Sequence, residues 1–163
     1  HLAAMRYYGV SVKRFRLTAL GAELDAPALA RLSYGRELIV TLAGVTVNLF
    51  CAVLLALLGL RTWREWGFVF AGAHLVLAAF NLLPVVPLDG ARALCLALSF
   101  FLGPATGERI TAAVSLACSL ALCALGLKLS LGLHSGWLFA FASFGLLWGT
   151  LRQLGLARGA KSV

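Results

Sequence analysis

Charge of one sign is nearly missing from this chain of 163 residues, which carries six Asp and Glu against 14 Lys and Arg and is only 12% charged overall. A soluble domain devotes roughly 25% of its residues to charge and about 45–50% to apolar side chains, whereas 61% of this chain is hydrophobic. A water-soluble monomer of this size has nowhere to hide so much apolar surface. Intrinsic disorder is excluded, because it requires low hydrophobicity, and no periodic glycine supports a collagen-like repeat. Cysteine is sparse too. Cys51, Cys95, Cys118 and Cys123 lie in apolar stretches without a close Cys-x-x-Cys pair, which excludes a disulfide-stapled module and reads as small packing residues. What remains is one integral membrane domain over residues 1–163, embedded in a lipid bilayer.

Long apolar runs are what the sequence has in abundance. Leu38 to Leu60 is an uncharged run of 23 residues, enough to cross about 30 Å of hydrocarbon at about 1.5 Å per residue. Trp66 to Val86 predicts a second span, Ile110 to Leu127 a third and Trp137 to Leu151 a fourth, with Ala91 to Leu102 as a half-buried or interfacial helix. Ahead of them, HLAAMRYYG reads as the last two turns of a helix closed by Gly9, a residue suited to the left-handed conformation at a helix end. The chain opens on His1 and carries its only methionine at Met5, so it is expected to be a piece of a longer protein, cut within that helix. From Val10 the pattern alternates through VSVKRFRL, with a turn near Gly21 before Ala22 to Leu24, which predicts a small β-hairpin at the membrane surface. The expected fold is therefore an all-α polytopic membrane protein with about four transmembrane helices, the tail of a truncated N-terminal helix and a surface hairpin.

The net charge of +8 would suggest a nucleic-acid partner in a soluble protein. Here it reports orientation, because cytoplasmic loops of membrane proteins concentrate Lys and Arg. With residues 1–36 and the C-terminus on the cytoplasmic side, eleven bases fall there and only Arg61, Arg64 and Lys128 fall outside. No nucleic acid is implied.

Polar groups persist inside membrane helices only where something requires them. The end of the second span, NLLPVVPLDG, holds Asn81, Pro84, Pro87, Asp89 and Gly90. Two prolines so close together break the helical ladder, and broken backbone at membrane depth is tolerated only when buried in protein or lining a cavity. Asp89 reads either as the N-cap of the helix that follows or as a metal ligand, a cation being one of the few partners that offset a carboxylate held there. Asn81 reads either as a hydrogen bond to a neighbouring helix or as a carboxamide aimed at an oxyanion. His74, about two turns before Asn81, reads first as a satisfied interhelical histidine. His1 gains interest from standing at the cut edge of a helix, since zinc hydrolases place two histidines at i and i+4 with a glutamate between them.

Taken together these residues resemble the site-2 protease family of intramembrane zinc metalloproteases, and most closely its sporulation branch, which includes stage IV sporulation protein FB. HLAAMRYYG is similar to the tail of the family's His-Glu-x-x-His helix, VSVKRFRLTALGAEL to its surface hairpin and GRELIVTLAGVTVNL to the start of its next membrane helix. FNLLPVVPLDGARAL matches its Asn-x-x-Pro-x-x-x-x-Asp-Gly signature. The resemblance runs from residue 1 to about residue 110, and hydropathy alone fits the last two helices. It implies that His1 and Asp89 are two protein ligands to Zn2+, that Asn81 is catalytic in positioning substrate or stabilising the oxyanion, and that the other histidine and the glutamate stand four and three residues before His1. The implied activity is regulated intramembrane proteolysis in a bacterial cell membrane. Its substrate would be membrane-tethered, in the sporulation branch a pro-sigma factor, with membrane proteins as regulators. Val45 stands where the family usually has proline, Ala91 where it usually has a second glycine and His74 where an asparagine is frequent. The alternative from a different class is a non-catalytic membrane scaffold that keeps the fold.

Overall fold

The computed structural model describes the backbone of residues 1–12, 14–18, 21–25, 27–61, 64–132 and 137–159. Helix α1 (Leu2–Tyr7) is short and ends where Gly9 turns to a φ of 70°, a conformation that costs glycine little and other residues much. Strands β1 (Arg14–Thr18) and β2 (Gly21–Asp25) follow and pair antiparallel, with Phe15 opposite Leu24 and Leu17 opposite Ala22. Residues 19 and 20, between the strands, lie outside the described residues. A 3-10 turn (Pro27–Arg31) leads into helix α2 (Tyr34–Arg61). The remaining helices are α3 (Arg64–Asn81), α4 (Asp89–Leu102), α5 (Pro104–Gly132) and α6 (Trp137–Gly159).

Helix packing is sequential, α2 against α3, α4 against α5 and α5 against α6, and α2 also meets α4 across the chain. That last contact brings the His1 end of the molecule to the Asp89 end. Glycine permits close approach elsewhere: a Cβ on Gly67 of α3 would strike the backbone of Gly59 in α2.

Four spans were expected, and two helices among the described residues are long and apolar enough to cross a membrane, α2 and α5. Each buries only 22% of its most apolar stretch inside the protein, the opposite of a soluble core helix. Helix α3 falls short because it is 18 residues long and includes Arg64, Glu65, His74 and Asn81. It also stops at Asn81 rather than running to Val86, since a proline at 84 disfavours helical geometry at the residue before it. Helix α6 is diluted by Arg152 and Gln153. Helix α5 is longer than the uncharged run Ile110 to Leu127, because Pro104 supplies a preset first helical position and the helix carries Glu108 and Arg109 in its early turns.

Candidate metal centre

His1 and Asp89 stand at opposite ends of a long stretch of sequence and meet in space. Their approach is built from two sides. On the first, Met5 and Val10 pack with Val40 of α2 in one buried cluster, and Arg36 stacks over the Tyr8 ring at 5.9 Å. This pins α1 to α2 and lets His1 Nδ1 donate to the Val40 carbonyl at 2.9 Å. Gly44, one turn further along α2, leaves the space that the imidazole fills: a Cβ there would meet His1 Nε2 and the adjoining ring carbons.

On the second side the prolines end α3, and residues 82–88 cross to α4 as irregular chain. Gly90 lies so close to the carbonyls of Leu82 and Leu83 that a Cβ would collide with both. Helix α4 begins at Asp89 itself; its N-cap is Leu88, with no side-chain capping hydrogen bond. The capping alternative for Asp89 is thereby set aside. Its carboxylate points instead to His1, with Oδ2 at 3.2 Å from Nε2 and both side chains about three-tenths exposed, 31% and 27%.

The tautomer follows from the partners. A backbone carbonyl only accepts, so Nδ1 carries the proton and Nε2 is the nitrogen presented to Asp89. Asp89, as hydrogen-bond partner, raises the pKa of His1 above its ordinary value against the opposing pull of burial; His1 lies outside both spans. The pair therefore attracts a positive charge, and a proton and a divalent cation would compete for the same lone pairs.

The pair supplies two donors of the types zinc accepts, one fewer than the three protein ligands of a catalytic zinc site. Imidazole nitrogen and carboxylate oxygen are ordinary zinc ligands at about 2.0–2.2 Å, and two such ligands at a tetrahedral angle stand roughly 3.3 Å apart by the same geometry. A metal-binding histidine characteristically donates its other N–H to a carbonyl, as His1 does to Val40. Among the described residues no group of three His, Cys, Asp or Glu side chains is placed to hold a metal.

Asn81 occupies the last position of α3, half-buried. Its side chain makes no hydrogen bond to the described residues, and neither His1 nor Asp89 engages it. His74 has the bland role: Nδ1 lies 3.0 Å from Asn48 Oδ1, joining α3 to α2.

Three features escape a reading of the sequence. Glu37, nearly buried, pairs with Arg92 of α4. Ser115 of α5 donates to the Pro84 carbonyl at 2.9 Å. Thr150 of α6, fully buried, shares its hydroxyl between Val86 O and Leu146 O, each at 2.9 Å. The last two satisfy carbonyls released by the break in the helix, around a cluster of Val85, Leu88 and Leu146. A clue to Glu37 was available: it is one of six acids and stands directly before an apolar run.

No protein-family model matches the chain, and no curated protein sequence does. Among solved structures it is similar to the site-2 protease from Methanocaldococcus jannaschii, with a TM-score of 0.68 and 21% identity over 91% of this chain and 68% of that one. At that identity the likeness is one of fold, and two of the helices that share it, α2 and α5, are long and apolar enough to cross a membrane.

Proposed function

We propose that the chain is the body of an intramembrane zinc metalloprotease of the site-2 type, acting on a membrane-tethered protein. The observation that supports this most is the convergence of His1 Nε2 and Asp89 Oδ2 at 3.2 Å, with His1 oriented from behind by Val40. In this reading both side chains would hold zinc, which when bound supplies a Lewis acid for the substrate carbonyl. Val40 keeps the imidazole in the tautomer that leaves Nε2 available. Asn81, free of partners among the described residues at the end of α3, directs its carboxamide toward the charge that develops on the substrate carbonyl. By the resemblance in sequence, a histidine and a glutamate four and three residues before His1 would complete the ligands and provide the base.

The same reading extends to topology and biology. Helices α3 and α6 cross the bilayer with α2 and α5, giving four spans in a bacterial cell membrane, and the eleven-to-three division of bases sets the paired strands and the C-terminus in the cytoplasm. The paired strands offer an edge on which an unwound substrate segment adds a strand. A pro-sigma factor of a sporulating cell is the proposed substrate, by the resemblance in sequence. The test is zinc content and proteolysis of the full-length protein. One zinc per chain and cleavage are expected, and both are expected to disappear in Asp89→Ala. A folded protein that binds no zinc and cleaves nothing would favour the scaffold; retention of both by Asp89→Ala would refute the ligand assignment.

A further inference from the structure

We infer that Glu37 and Arg92 form a clamp that sets the separation between His1 and Asp89, an inference that rests on the metal-site reading above. The two residues belong to the two helices that deliver the site. Glu37 lies three residues before Val40, about one turn of α2 from the carbonyl that orients His1. Arg92 lies three residues after Asp89, about one turn along α4. A contact between them therefore acts one turn away from each half of the candidate centre.

Its geometry suits placement. Arg92 Nε donates to Glu37 Oε1 at 2.9 Å, and Nη2 donates to the same oxygen. Two donors of one planar guanidinium on one oxygen constrain direction as well as distance, which a single point charge would not. Burial is uneven: the Glu37 side chain is 5% exposed and that of Arg92 50%. A nearly buried carboxylate is costly without a partner, so α4 is held at the rotation that brings Arg92 onto it. Asp89, on the same first turn, is held with it. The electrostatic demand of Glu37 is thus converted into a position for Asp89.

A pair kept for stability alone can be exchanged for apolar side chains, often at no loss. A pair kept for placement cannot, and this contrast gives the test. In the full-length protein in detergent, the double variant Glu37→Met/Arg92→Met is compared with the parent for thermal stability and for zinc affinity, read by competition with a chromophoric chelator. The expected result is unchanged stability with zinc bound about 10–100-fold more weakly, the range seen when a metal ligand loses its orienting partner. Arg92→Lys, which keeps the charge and loses the fork, is expected to fall between the two. The clamp is overturned if the double variant binds zinc as tightly as the parent while Asp89→Ala has lost it. Should the double variant not fold, parent-like affinity in both Glu37→Gln and Arg92→Lys overturns it equally. Zinc retained by Asp89→Ala would overturn the site reading, and the clamp with it.

Discussion

The two halves of this protein solve different polar problems with different chemistry. Where α1, α2 and α4 meet, the contacts join ionisable side chains, His1 to Asp89 and Glu37 to Arg92. Around residues 82–88, where the chain is irregular, the contacts are neutral hydroxyls from α5 and α6 donating to carbonyls. The contrast follows from what each place requires. A carbonyl released from a helix needs one donor, and a buried serine or threonine provides it without bringing a charge into an apolar setting. A cation site needs charge, and the two ion pairs described lie in that half. The irregular loop and the candidate centre are therefore separable in energetic terms, although they adjoin in sequence.

That separation can be broken by substitution. The largest effect is expected from Asp89→Asn, which keeps size and hydrogen bonding and removes the charge: zinc retention should be lost with little change in thermal stability. Gly44→Ala comes next. The added methyl occupies the place of the imidazole, so zinc affinity should drop by about 10–100-fold, while helix propensity offers up to ~1 kcal/mol of stabilisation in return; a zinc titration beside a melting curve reads both. Thr150→Val and Ser115→Ala should do the reverse. Each is expected to lower stability by about 1–2 kcal/mol by leaving a carbonyl unpaired, with zinc affinity unaltered. A drop in zinc affinity in either variant would show that the halves are coupled. Least of all, His74→Leu should lower stability by roughly 0.6 kcal/mol, an average interhelical hydrogen bond in a membrane protein, and leave zinc binding as it was.

The helix break and the motif were legible because their signals are local. The prolines at 84 and 87 announce the break, Gly9 announces the end of α1, and the spacing of Asn81 and Asp89 marks the motif. The purpose of Gly44 and Gly90 was not legible, since each is defined by what lies against it, an imidazole from one end of the chain and the carbonyls of Leu82 and Leu83. Ser115 and Thr150 were silent for the same reason: a hydroxyl in an apolar helix looks the same whether it bonds its own turn or a distant carbonyl. Glu37 gains its meaning only from the packing of α2 on α4, which gives it Arg92. Helix limits erred where one proline acts at a distance. Val86 looked like the end of a span, yet the steric effect of Pro84 and the turn it forces end α3 at Asn81.

In the proposed site His1 and Asp89 act together as ligands of one metal ion. The absorption spectrum of the cobalt-loaded full-length protein tests it most directly, because the visible bands of Co2+ report the identity and geometry of its ligands. One Co2+ per chain is expected, with the bands of a four-coordinate nitrogen and oxygen site, altered or lost in both His1→Ala and Asp89→Ala. Spectra and stoichiometry identical to the parent in the two variants would contradict it.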